Sequence, residues 1–127
     1  MHFVNSHFMH PDDLLDEDRG AALGWEKLRA RLDEYMTWMN ESAPSLRNLT
    51  GSELAGAVQR YGALTVDKEI TDQEIRIHLG NFYDEAYLMV RINDGTPGQV
   101  TGGELTNVTG NLYLLHAQES EVVIERN

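Results

Sequence analysis

The chain has 127 residues, enough for one domain or for two small layers sharing a core. Its formal net charge of −11 disfavours nucleic-acid phosphates and anionic membrane surfaces as partners. It has no cysteine, which excludes disulfides and thiolate metal sites, so any metal must be held by imidazole and carboxylate.

The first stretch, Met1 to Phe8, reads as a short strand on the strength of Phe3, Val4 and Phe8. It runs into His7-Phe8-Met9-His10-Pro11-Asp12-Asp13, the densest gathering of metal ligands and proton carriers in the chain. Pro11 lacks an N–H and biases His10 towards an extended backbone, so the strand is expected to end near His10 with the aspartates on the following turn. His7 and His10 have H-x-x-H spacing. On a helix that spacing shares a face, but on a strand the two rings point to opposite sides, which leaves His10 with Asp12 or Asp13 as the better pair. A carboxylate there could orient the imidazole for proton transfer, or the set could bind a divalent, zinc-like ion. A hydrolytic zinc site needs about three protein ligands, so most of the ligands are expected outside this chain. A simpler account stands beside this one. Asp12, Asp13, Asp16, Glu17 and Asp18 precede a helical pattern, and acids near a helix N-terminus each contribute roughly 0.3–1 kcal/mol against the macrodipole.

From Gly20 to about Asn40 the pattern is helical, with Trp25, Leu28, Leu32, Tyr35, Met36 and Met39 at steps of three and four. This aromatic stripe, with Trp38 beside it, is expected to be core rather than a sugar platform. Ser42, Pro44 and Ser45 break the helix. Thr50 and Glu53 have capping-box spacing and predict a second helix, with Leu54, Val58 and Tyr61 buried and Gly62 as its stop.

Beyond Gly62 the period changes to two. Strands are expected from Leu64–Val66, over Ile75–Leu79, Ala86–Ile92, Leu105–Val108, Leu112–Ala117 and Glu121–Glu125, with Thr96–Gly103 as a loop. Leu112-Tyr113-Leu114-Leu115 is apolar on both faces and predicts a central or doubly covered strand. His78 reads as a solvated partner of Arg76, and His116 as a satisfied core or edge histidine. The fold expected is α+β: an N-terminal strand and two helices, then an antiparallel β-sandwich of about six strands. The expected division is 1–62, closing a catalytic domain, and 63–127, an accessory β domain.

Several stretches together resemble the C-terminal region of large bacterial proteins related to barrel-type polysaccharide deacetylases. They are Ser6-His7-Phe8-Met9-His10-Pro11-Asp12-Asp13, then Gly24-Trp25 and Leu28, then Pro44-Ser45-Leu46-Arg47 and Leu49-Thr50. The Tyr87–Arg91 and Leu112–Leu115 strands look like the β domain that follows the barrel in that group. The resemblance implies metal-dependent removal of acetyl groups from a polysaccharide. In that scheme His10 corresponds to a late catalytic histidine and Asp12 orients it, while His7, His10 and Asp13 are candidate metal ligands. It also implies an upstream catalytic domain of the same parent chain, because the H-x-x-x-H motif and the early barrel strands are absent here, which leaves the chain inactive alone. His10-Pro11-Asp12-Asp13 is similar as well to the motif of LmbE-like zinc N-acetylglucosaminyl deacetylases. That likeness implies His10 and Asp13 as ligands and Asp12 as base, at the head of a doubly wound domain that the all-β second half does not match. The residues alone leave open a non-catalytic carbohydrate-binding or interaction module, with Trp38, Tyr83, Tyr87 and Tyr113 as the candidate stacking residues and most of them expected in the core. No transmembrane run and no signal-peptide pattern is present, and the start on an apolar strand suggests a piece of a longer protein whose localisation this chain does not fix.

Overall fold

The computed structural model describes residues 10, 15, 16, 18–20 and 22–127. The expected strand from Met1 to Phe8, and His7, Asp12 and Asp13, lie outside the described residues. The element order is α1 (Trp25–Ser42), α2 (Gly51–Ala63), β1 (Thr65–Ile70), β2 (Glu74–Gly80), β3 (Ala86–Arg91), β4 (Pro97–Thr101), β5 (Gly103–Thr109), β6 (Leu112–Ala117) and β7 (Glu121–Arg126). Among the described residues no helix is long and apolar enough to cross a membrane. The chain forms two compact units, Met1–Pro44 and Ser45–Asn127. Their boundary falls between the helices, whereas the periodicity change in the sequence suggested one after α2.

In the first unit α1 carries the predicted stripe, but none of its residues is buried. Leu28, Leu32 and Met39 are half-buried, while Trp25 and Trp38 are exposed at 47% and 59%. The expectation that both tryptophans are core is therefore corrected within the described structure. Periodicity defines an apolar face; it does not supply the surface that covers it.

The second unit is a two-sheet sandwich entered through α2. Thr50 caps that helix as its spacing predicted. Its Oγ1 accepts from the Glu53 N–H, and the Glu53 carboxylate takes the Thr50 backbone N–H at 2.7 Å. These bonds, led by the backbone one, hold the Glu53 carboxyl below its ordinary value. Two expectations for α2 are corrected. The helix continues through Gly62 to Ala63 and ends at Leu64, whose N–H donates to Arg60 O. Leu54 is half-buried on the inward face as expected, but Val58 and Tyr61 are exposed, and Gly56, Ala57 and Arg60 are half-buried in their place. The helix has turned a small and a charged residue inwards.

All strand pairs are antiparallel, in the orders β1-β2-β7-β4 and β3-β6-β5. Ile75, Ile77 and Leu79 of β2 and Val122 and Ile124 of β7 pack with Ala86 and the β6 pair Leu115 and Ala117, with Ile92 completing an apolar core. Alternation sends the intervening residues outwards. Burying a leucine-sized side chain here contributes about 1.5–3 kcal/mol, and the four largest fully buried side chains, Leu79, Leu115, Val122 and Ile124, are where most of that is realised. As expected, Leu112–Ala117 is a central strand. The stretch expected as a loop from Thr96 to Gly103 contains β4, whose register against β7 shifts between Pro97 and Val100. Such an irregularity is how a sheet edge accommodates proline and glycine.

Gly102 closes the path between the sheets. Its φ is +80°, and its carbonyl accepts N–H groups from both Gln118 and Glu119. A Cβ placed there would lie 2.0 Å from Glu121 O. Only glycine satisfies both the backbone angle and that approach.

Candidate functional site

The outer face of the three-stranded sheet is built by alternation and register. Tyr87, Met89 and Arg91 of β3 stand opposite His116, Leu114 and Leu112 of β6, and Glu104 and Thr106 of β5 complete the rows beside His116 and Leu114. The partners Leu88, Val90, Tyr113 and Leu105 point to the core. The face thus has one polar and aromatic row, one largely apolar row, and a second polar rim.

Tyr87 is gripped from two sides. The His116 ring stacks on it at 4.3 Å between centroids and 5° between planes. The Arg47 guanidinium lies 3.7 Å from the Tyr87 centroid. A parallel ring at that separation leaves no room on the same side, so arginine and histidine occupy opposite faces of the phenol ring. Arg47 reaches this place because the irregular segment Ser45–Thr50, between the helices, carries it over β3 before α2 begins.

Glu85 gathers the remaining charges. It immediately precedes β3. Its Oε1 accepts from Arg60 Nη2 at 3.0 Å and lies 3.7 Å from Arg47 Nη1, while its Oε2 is 3.1 Å from His116 Nε2. The four side chains are between 23% and 30% exposed, so the group is screened less than a surface pair yet stays reachable from solvent. A carboxylate on one imidazole nitrogen orients the ring and fixes which edge it presents. Two arginines on one carboxylate leave the group with guanidinium donors in excess.

The far rim is neutral in its pairing. Arg91 Nη1 donates to Asn111 Oδ1 at 2.9 Å, and Asn111 Nδ2 donates to Asn93 Oδ1 at 3.2 Å. Between the rims Met89 is 52% exposed and Leu112 and Leu114 are half-buried. Tyr83, two residues before Glu85 and 74% exposed, is the most open aromatic of this unit.

The residues singled out from sequence fare differently. His10 is exposed, so its ring is not sealed into apolar packing. Among the described residues no three His, Asp or Glu side chains converge as a metal site, so they do not form a ligand set for the divalent ion that the resemblance implies. Of the proposed stacking residues, Tyr83 is open, Trp38 is open contrary to its expected place in the core, and Tyr87 is half-buried with both ring faces occupied. His78 pairs with Glu121 across β2 and β7, while Arg76 pairs with Glu74, so the expected His78–Arg76 pair is replaced by two pairs, each with a glutamate. The Glu74 bond holds the Arg76 guanidinium even further above its usual range. His116 is satisfied as expected, but on the outer face of a central strand rather than in the core.

The sequence reading missed Arg47, Arg60, Glu85 and Met89. One signal was present for the face itself: His116 alternates with Leu114 and Leu112 and so stands opposite Leu115. Nothing local marks Glu85 as the partner of residues 25 and 31 positions away.

No curated protein and no solved structure matches the chain. Residues 1–114 match the family model described as "Uncharacterised protein conserved in bacteria (DUF2194)", and the chain belongs to that family.

Proposed function

We propose that the chain is the C-terminal, glycan-contacting part of a polysaccharide-deacetylase-like protein, and that its β unit holds a sugar chain without acting on it. The observation that carries this reading is the outer face of the three-stranded sheet. Met89, Leu112 and Leu114 offer apolar surface suited to the C–H face of a pyranose. The rims offer guanidinium, imidazole and amide groups held by one another in fixed positions, which is how hydroxyl and acyl oxygens are bound without a large ordering cost. Tyr83 adds an open aromatic ring near Glu85.

The catalytic part of the proposal rests on the sequence resemblance and on the exposure of His10, which leaves its ring reachable. In that role His10 is the proton-transferring imidazole and Asp12 its orienting group, with His7 and Asp13 as further candidate ligands. The chemistry is completed by a domain upstream of these residues. No step is assigned to the chain by itself.

Isothermal titration of the chain with a panel of acetylated oligosaccharides tests the binding role. Heat saturating at one site, lost on Tyr83→Ala or His116→Ala, is the expected result. Flat titrations across the panel overturn it. For the catalytic part, a parent protein with His10→Ala is expected to lose most of its metal-dependent deacetylation, and full activity in that variant removes His10 from the mechanism.

A further inference from the structure

Helix α1 lacks the support that sustains most helices of its length. None of its 18 residues is buried, its N-cap Gly24 makes no side-chain cap bond, and no basic residue stands in its last turn. Its charges also run against the macrodipole. Only Glu26 in the first turn has the favourable sign, while the three cations, Lys27, Arg29 and Arg31, all precede Asp33, Glu34 and Glu41. The apolar positions Trp25, Leu28, Leu32, Tyr35 and Met39 step by three, four, three and four, the spacing with which one helix lies along another. Met36 and Trp38 widen this seam, and Trp25, Tyr35, Met36 and Trp38 are between 36% and 59% exposed. At 3.6 residues per turn, one flank of the seam reads Lys27, Arg31, Glu34, Trp38 and Glu41. The other reads Arg29, Asp33 and Met36, with Glu26 and Asn40 at its ends. Arg29 and Arg31 meet Asp33 and Glu34 of their own helix at 3.8 and 2.8 Å, both pairs well exposed.

We infer that this face docks a second copy of the chain, α1 against α1, with the two helices antiparallel. Turning one helix end for end about a point between Leu32 and Tyr35 sets Leu32 against the partner's Tyr35 and Leu28 against the partner's Met39. The same turn brings Lys27 beside the partner's Glu41, and Arg31 beside the partner's Glu34 and Trp38, so each basic half lies on an acidic half. It also brings cations to the end of α1 that has none and opposes the two helix dipoles. Parallel helices would set basic half against basic half. An apolar groove on another protein would cover the seam equally well, but it gives no reason for the charges to be divided along the helix. At this exposure the ion pairs select the orientation, and the apolar seam supplies most of the affinity. The inference concerns α1 alone and does not rest on the glycan reading.

Both tryptophans of the chain, Trp25 and Trp38, lie on α1, so their fluorescence reports on this face alone. Sedimentation velocity of the whole chain should show a species of twice 14.4 kDa growing in with concentration, accompanied by a blue shift of the tryptophan emission. Arg31→Glu, at a side chain 77% exposed, puts like charge beside the partner's Glu34 at both symmetry-related contacts and should weaken the dimer at least about fivefold. Glu34→Arg should weaken it in the same way. An equimolar mixture of the two variants should recover the dimer, because each altered flank then meets its opposite, and that recovery also shows both variants folded. A monomer at every concentration, or a dimer that forms with no change in tryptophan emission, overturns the inference. So does a dimer indifferent to Arg31→Glu, or a mixture that stays monomeric. A dimer tightened by Arg31→Glu overturns the antiparallel order, because that variant relieves repulsion only between parallel helices.

Discussion

Removing Glu85 is the most informative perturbation of the site. Glu85→Ala deletes the acceptor for Arg60 at 3.0 Å and the partner of His116 at 3.1 Å, and strips the nearby countercharge from Arg47. Hydrogen bonds to charged groups contribute about 1.5–3 kcal/mol each when sheltered, and the leftover partners also lose their compensation. The four side chains are about a quarter exposed, which screens roughly half of that, so the loss is about 2 kcal/mol. For a unit of this size that is a fall of roughly 8–16 °C in Tm. Thermal unfolding followed by circular dichroism measures it. Glu104→Ala serves as the control, because Glu104 is an exposed carboxylate in the same row whose side chain meets Gln118 at 3.4 Å, and it should stay within about 0.5 kcal/mol. A double-mutant cycle of Glu85→Ala with Arg60→Ala should show coupling above about 0.5 kcal/mol. A Tm within about 2 °C of the unaltered protein would refute the claim that Glu85 organises the face.

Three further outcomes follow from the frame that carries the site. Leu115→Ala, at a side chain with 0% exposure, should cost about 2–5 kcal/mol in urea unfolding, and a smaller change would mean the core between the sheets is loosely packed. Gly102→Ala forces a Cβ to 2.0 Å from Glu121 O at a φ of +80°, so it should destabilise by more than about 2 kcal/mol, whereas Gly62→Ala, with open space around its Cβ, should be neutral or stabilising in the same assay. The folded-state pKa of Glu53 lies below its unfolded value, so its contribution is present above the ordinary glutamate range and is lost as pH falls through the folded value. Carboxyl NMR titration should place Glu53 below ordinary glutamates, with Thr50→Ala bringing it back, and an ordinary value in the unaltered chain would remove the capping account.

The elements were legible where a local rule sets them. The Thr50–Glu53 cap, the alternation of Ile75, Ile77 and Leu79, and the two-sided Leu112–Leu115 strand all follow from nearest neighbours in the chain. Burial on the helices was less legible because it depends on what lies against each face. The sequence pattern on α2 favours Val58 and Tyr61 inwards beside Leu54, but the helix is rotated towards Ala57 and Arg60, where Arg60 meets Glu85. β4 was hidden because Pro97 and the three glycines of Thr96–Gly103 read as loop, while pairing with β7 supplies the missing preference. The ligand-rich stretch around His10 drew attention by composition. The Arg47–Glu85 group has no such density, since its members come from a connecting segment, a helix, a loop and two strands.

That dispersion follows from the energetics of a two-faced central strand. β6 presents Leu115 and Ala117 to the core and Leu114 and His116 outwards, and an outer face left wholly apolar would invite association. Covering part of it with charged groups is tolerable only when each is partnered, because an unpaired group at a quarter exposure costs more than its bond returns. Arg47, Arg60, Glu85, His116 and Tyr87 meet that condition by satisfying one another. Met89 beside them remains 52% exposed on the same face. A sheet that needed only solubility would have placed a polar residue at Met89, as β5 does with Thr106 in the same row. The joining of an open apolar patch to a braced polar rim is what makes this surface the place where a ligand is expected.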